Sequence, residues 1–424
     1  MRTKVYSNNI IELFIVVFAS LIGIFRCFKI NNRYTLLLSC FLLIIWLIIK
    51  GYIQLSLLDL LVLSTLIMAF GHKYYLYSWW PCVYLMMAIL SYFSFRRKDN
   101  IKTAMVVFSV FSVLNIVVTI INIVNPDYYF RLVSSLMTLG SLNNIENYLG
   151  LYLTGLSDHY SRNAYYCVLG STIFFSLFFG NSKKKTAALI MGIIEVVMIM
   201  VIGKRGHFVF FLATLLFVYI QIQKSIGKKV LNLIRLSIVA LLIFGILVEY
   251  VPAAMNVFNR FTIMRDSGDV TTGRSYLWNI AIEAFMKKPI LGWGYGYFTS
   301  TVYTTNVNQA FAGVHNDYLQ WLCEMGIIGF LINMGITIGI YLLSLKELNI
   351  LVSSVKKIGS QRQVMIIWSV LFQTFVITYS LTGLPHFDYE INIVYYISLA
   401  VPMILLSEPE CKNIDIWKGK LRWA

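Results

Sequence analysis

Apolar runs of roughly 20 residues recur from one end of this chain to the other, the length a helix needs to cross the hydrocarbon core of a bilayer. No water reaches backbone N–H and C=O groups there, so only helices or a closed barrel can span it. The runs are continuously apolar, without period-2 alternation, and this selects helices. Charged residues make up 13% of the 424 positions, about half of the ~25% usual in a soluble domain. That is too little charge to cover a water-facing surface of this size. The expected fold is all-α: a polytopic integral membrane protein of about twelve transmembrane helices. It forms a single transmembrane helical domain over residues 1–424, with a large extracytoplasmic loop carrying short amphipathic helices.

Spans are expected near 10–25, 34–49, 54–70, 78–95, 103–124, 164–179, 186–202, 208–222, 231–250, 325–345, 364–381 and 391–406. The formal net charge of +16 would point to nucleic acid in a soluble protein. Here the basic residues sit mostly in short loops, where they act as a topology signal, and no nucleic-acid partner is expected. Arg96-Arg97-Lys98, Lys183-Lys184-Lys185, Lys224 with Lys228-Lys229, and Lys356-Lys357 with Arg362 fall in every second loop, which puts those loops in the cytoplasm. Arg26, Lys29 and Arg33 break this alternation. Either one of the early runs is not a simple crossing, or the later loops outvote this one. Three larger segments then face outward, 125–162, 252–317 and 382–390. The six cysteines lie in or beside apolar runs and form no CxxC pair, which argues against a metal site or a disulfide framework. The first run lacks a small-residue cleavage site and is expected to stay as a span.

Polar chemistry concentrates between Thr271 and Gly329. From Arg274 to Pro289 the apolar positions Leu277, Ile280, Ala281, Ala284 and Phe285 follow the i, i+3, i+4, i+7, i+8 pattern of one helix face. Thr271 or Thr272 is placed to cap its start, and Pro289 stops it. At about four turns it is too short to span, so it lies at the interface or packs on the bundle. Gly292, Gly294 and Gly296 follow, separated by aromatics. They fit a tight turn or a close backbone approach, and no βαβ unit exists to make them a nucleotide loop. His315 follows a polar loop and precedes another helix. Read alone, it fits an interfacial or capping group as well as a base. Gly326, Gly329, Gly335 and Gly339 fit close helix packing.

A second polar interruption, Gly203-Lys204-Arg205-Gly206-His207, separates two apolar runs. It falls on the outer side, where positive flanks are not favoured. Ionisable groups at such a depth are functional candidates, and arginine suits bidentate binding of phosphate.

Together these residues resemble the O-antigen ligase and O-antigen polymerase superfamily of bacterial envelope glycan enzymes. Gly273-Arg274 with Trp278 and Ala281, Pro289 to Gly294, and His315-Asn316 with Gly326 and Gly329 carry the resemblance. Arg205-Gly206 looks like the family's earlier arginine motif, with Lys204 standing where a small hydroxyl residue is common. Motif-level similarity covers about 203–207 and 260–329. It implies a multi-pass enzyme of the cytoplasmic (inner) membrane. Such an enzyme transfers an undecaprenyl-diphosphate-linked glycan to an acceptor hydroxyl on the extracytoplasmic side, without cofactor or metal and with inversion. His315 is then the catalytic base, Arg205 and Arg274 bind the diphosphate, and loop 252–317 holds part of the active site. Arg260, Arg265, Asn316 and Arg162 are candidate substrate contacts, with His159 and the 382–390 loop as longer shots. A flippase and a chain-length regulator are candidate partners beside the donor, the acceptor and the bilayer. Polymerase is the leading expectation, ligase the nearest alternative, and a lipid-linked oligosaccharide flippase the reading from another class.

Overall fold

The computed structural model describes residues 15–50, 55–76, 78–180, 184–223, 273–304, 310–311, 313–353 and 360–406, with the isolated positions 227, 245 and 262. Among the described residues, ten helices precede position 224: α1 (Ile15–Ile24), α2 (Arg33–Lys50), α3 (Leu57–Gly71), α4 (Trp80–Ser94), α5 (Lys98–Val124), α6 (Pro126–Ser134), α7 (Leu139–Tyr148), α8 (Tyr160–Phe179), α9 (Lys185–Ile202) and α10 (Arg205–Ile222). After position 272 come α11 (Arg274–Lys287), α12 (Tyr297–Thr301), α13 (Asp317–Ser353), α14 (Ser360–Tyr379) and α15 (Tyr389–Leu406). The described strands are β1 (Tyr303–Thr304) and β2 (Ala310–Phe311), which pair antiparallel. Among the described residues, four helices are long and apolar enough to cross a membrane: α5, α9, α10 and α13 over Asp317–Val352. Helices occupy, in whole or part, every segment read as a span except 231–250, which lies outside the described residues apart from position 245.

The helices are built inside out relative to a soluble bundle. On α5 the apolar side chains Val106, Val110, Leu114 and Val117 are exposed, whereas Ser112, Asn115, Thr119 and Asn122 are buried. Lipid welcomes the first set, and only neighbouring protein can satisfy the second. Asn115 Nδ2 donates to Asn163 Oδ1 at 2.8 Å, and Asn115 Oδ1 accepts from Leu156 N at 2.9 Å. Helices α14 and α15 are covered all round, with Trp368, Phe372, Phe375 and Tyr395 among the largest buried side chains. Gln373 Nε2 donates to Ser369 Oγ at 2.7 Å and Ser344 Oγ at 3.1 Å, tying α14 to α13. Gly329 and Gly335 leave room for Met68 and Leu61 of α3 against α13.

Contacts tie the connections into two sets. One holds 25–32, 72–79, 134–138, 158–162, 273–316 and 380–388, linked by the Phe28–Met137 bridge, by Tyr74 N donating to Tyr295 O at 3.0 Å, and by Arg162 with Asp388. The other holds the Arg96–Asp59 ion pair, Arg97 over the Trp46 ring, and Arg362 with Glu347 at 3.0 Å. The basic loop that breaks the charge alternation sits in the first set, and its charges have local uses. Lys29 Nζ donates to the carbonyls of Ser134 and Ser135, both at 3.1 Å, at the C-terminus of α6, where a cation complements the helix dipole. Arg26 lies over the Tyr389 ring at 4.9 Å.

Candidate functional site

Helix α13 is two helices joined at Gly326, whose backbone is left-handed at φ 62°. Breaking a helix strands N–H and C=O groups that must find partners elsewhere. The segment after α11 supplies them. Ile327 N donates to Pro289 O at 2.8 Å, while Trp293 N and Gly294 N donate to Cys323 O and Glu324 O at 3.1 and 2.8 Å. This backbone-to-backbone seam leaves no space for side chains. A Cβ on Gly292 would lie 2.6 Å from both Glu324 O and Gly326 N, and one on Gly326 would overlap the Ile290 carbonyl. The glycine motifs are therefore the two edges of one seam, a more specific role than close helix packing. The buried Glu324 carboxylate secures it, accepting from Gly296 N at 2.8 Å, Phe298 N at 3.1 Å and Gln320 Nε2 at 3.2 Å.

His315 stands just before the other end of the same half-helix. Its φ of 56° makes it the non-glycine residue with left-handed backbone among the described residues. Asn316 caps the helix, its Oδ1 accepting from Leu319 N at 3.1 Å. The turn after α14 then presents three consecutive carbonyls. Ser380 O accepts from Asp317 N at 3.0 Å, Leu381 O from Asn316 Nδ2 at 3.1 Å, and Thr382 O from Arg274 Nη1 at 2.6 Å. One turn thus fixes the start of the His315 helix and the arginine of α11 relative to each other.

Helix α11 has its buried face on Leu277, Ala281 and Ala284, as its periodicity requires. Its N-cap is Gly273 in a left-handed conformation, without a side-chain cap bond. The expected caps Thr271 and Thr272 lie outside the described residues, and Gly273 takes the place assigned to them because a left-handed backbone suits glycine.

The turn between α9 and α10 completes the group. Gly206 packs against Tyr379, where an added Cβ would meet the ring at 2.9 Å. Lys204 Nζ lies 3.9 Å over the Tyr160 ring. Burial first, then the charges of Arg274 and Lys204 and the His159 ring, push the His315 imidazole down to about 3. Burial, Lys204 and Arg162 likewise push His159 down to about 4. His207 is fully buried against Tyr165 at 4.3 Å and Tyr379 at 4.4 Å.

Of the residues singled out by sequence, His315, Asn316 and Arg274 are brought together on the 380–382 turn. Arg205 opens α10, partly buried and one position past Lys204. Arg162 is committed elsewhere: it pairs with Asp158, with Asp388 Oδ1 at 3.4 Å and with Glu390 Oε1 at 3.5 Å. Burial opposes ionisation of Asp388, and Arg162 overcomes it, holding that carboxyl below its usual range. Arg260 and Arg265 lie outside the described residues. Sequence reasoning missed the 380–382 carbonyls, which no side-chain pattern announces. It also missed Lys204, noticed only as a departure from the family motif.

Fold and site define a helical, multi-pass membrane protein that gathers a histidine and cations at one end of its bundle. Residues 186–334 match the family model described as O-antigen ligase. The match supports the resemblance to the O-antigen ligase and polymerase superfamily, and the matched stretch takes in Lys204, Arg205, Arg274, His315 and Gly326. The match indicates a function of O-antigen ligase or polymerase type, that of a membrane glycosyltransferase. No curated protein matches the chain.

Proposed function

We propose that the protein is a polysaccharide polymerase. It joins undecaprenyl-diphosphate-linked oligosaccharide repeat units at the outer face of the cytoplasmic membrane, with loop 252–317 covering the headgroup. The observation that carries this reading is the 380–382 turn, which aligns Arg274 with the start of the His315 helix beside Lys204. His315 takes the proton of the acceptor sugar hydroxyl as its oxygen attacks C1 of the donor. The C1–O bond to the diphosphate breaks, its electron pair leaves with the phosphate, and the anomeric centre inverts. Arg274 and Arg205 stabilise the charge that develops on the leaving group. An imidazole held at about 3 by burial first, and by neighbouring cations in addition, is a weak base. The diphosphate counters that repulsion when it binds between them, so the donor itself raises the basicity of His315 toward the working range. The ligase description of the matched family favours a second reading, transfer of a finished glycan to a lipid, wall or protein acceptor. Flippase and chain-length regulator are proposed partners of the polymerase.

Purified protein in liposomes with undecaprenyl-diphosphate-linked repeat units tests the proposal. A ladder of longer glycans on the carrier supports polymerase, and transfer only to a separately added acceptor supports ligase. A donor that stays chemically unchanged, or merely changes leaflet, overturns both. His315→Ala should abolish transfer while the protein remains in the membrane.

A further inference from the structure

Two residues beyond His315, Asp317 is fully buried at the first position of α13 and bonds to both Ser380 and His386. Its Oδ2 accepts from Ser380 Oγ at 2.7 Å, pairs with His386 Nδ1 at 2.7 Å, and accepts from His386 N at 3.2 Å. Its own N–H donates to Ser380 O at 3.0 Å. Asp317 therefore grips both ends of the turn whose Leu381 and Thr382 carbonyls hold Asn316 and Arg274. His386 is fixed in turn by the edges and faces of Trp321 at 4.7 Å and Tyr395 at 4.8 Å. Its buried Nε2 has no partner among the described residues, and His386 lines a cavity of about 20 Å³. Asn392, whose buried Oδ1 is likewise unpartnered among the described residues, lines the same cavity with Thr65, Asn333 and Tyr396. That space holds about one water.

We infer that Asp317 and His386 are a positioning pair, which fixes His315 in its left-handed conformation and in register with Arg274. The inference rests on the proposed base role of His315. Neither residue touches the reacting atoms. The geometry makes a sharp distinction between substitutions: Asn at 386 restores a donor at the Nδ1 position, whereas Leu does not. Asn at 317 keeps an acceptor for all three donors, whereas Ala does not. Displacing a catalytic group by about 1 Å costs up to roughly 100-fold in turnover.

The test uses the full-length protein in liposomes with an undecaprenyl-diphosphate-linked oligosaccharide as donor. His386→Leu and Asp317→Ala should lower kcat roughly 10- to 100-fold, with the donor KM within about threefold of the parent. His386→Asn and Asp317→Asn should retain turnover within about threefold. Unchanged kcat per folded molecule in the Leu and Ala variants overturns the inference, as does equal loss in the Asn variants. A second readout does not depend on transfer: the rate at which diethylpyrocarbonate modifies His315, followed by mass spectrometry. It should change severalfold in Asp317→Ala and not in Asp317→Asn, and an unchanged rate in both again overturns the pair. If the parent protein transfers nothing while the labelling behaves as expected, the proposed reaction fails and the positioning pair stands.

Discussion

His315 and Gly326 bound the first half of α13, and both have left-handed backbone, at φ 56° and 62°. Glycine is needed at 326 because the Ile290 carbonyl and Gly292 N–H occupy the space a side chain would take. At 315 nothing of that kind is required, and the ring is present although a β-carbon makes this conformation cost about 1–2 kcal/mol. The turn carbonyls of Ser380 and Leu381 hold the strain from the next two residues. One end of the half-helix is thus shaped by packing, and the other carries strain at the residue proposed as the base. Substitutions should separate stability from activity in opposite directions at the two ends.

The largest effect is expected at His315. His315→Gly should cut transfer by about 10²- to 10⁴-fold, the usual worth of a general base. The same change relieves the backbone, so the variant should unfold at a higher temperature than the parent. Loss of activity with loss of stability would assign His315 to the fold instead. Gly326→Ala should act the other way: strain of about 1–2 kcal/mol adds to overlap with the Ile290 carbonyl, for a total of roughly 3 kcal/mol or more. It should be read as a fall in melting temperature in detergent, and activity per folded molecule should suffer much less. A stable, fully active Gly326→Leu protein would show that the seam is not closed in the working enzyme.

Glu324 lies between these extremes. Its carboxylate accepts from Gly296 N, Phe298 N and Gln320 Nε2. Glu324→Leu leaves two backbone donors without their partner and should cost about 2–3 kcal/mol, with Glu324→Gln intermediate. Protease sensitivity of the 289–301 segment is a direct measurement of that loosening, and unchanged cleavage rates would show that the seam holds without it.

The sequence made the helical, membrane-spanning class readable because apolar runs of this length have few alternatives. It also made the glycines and His315 visible, since residue type and spacing survive in one dimension. What it could not convey is the receiver. The carbonyls of 380–382 are backbone groups some 65 positions from Asn316 in the chain, and every residue carries one. Arg162 illustrates the reverse difficulty. An arginine beside Asp158 and His159 looks available in sequence, yet the fold brings Asp388 and Glu390 to it as well. Arg26 and Lys29 distort the charge alternation for the same reason: their partners, Tyr389 and the end of α6, are distant in sequence.

The smallest expected effect is a change of pH dependence that only one end of the half-helix should feel. His315 titrates at about 3 when folded and near 6.5 when unfolded. Unfolding at intermediate pH therefore takes up a proton, so the contribution of His315 to stability is complete above about pH 6.5 and falls as pH drops toward about 3. Removing the ring removes that slope. Melting temperature of His315→Gly should decline less between pH 7 and pH 4 than that of the parent, whereas Gly326→Ala should keep the parental slope. Arg274→Gln takes away one of the charges that depress His315 and should move the acid limb of kcat/KM upward, because a less repelled imidazole holds its proton to higher pH. Saturating donor should have the same effect in the parent, since bound diphosphate supplies the compensating negative charge. The acid limb of kcat is then expected at higher pH than that of kcat/KM. Coincident limbs in the parent, with no shift in Arg274→Gln, would separate Arg274 from His315 and leave the 380–382 turn as a structural link alone.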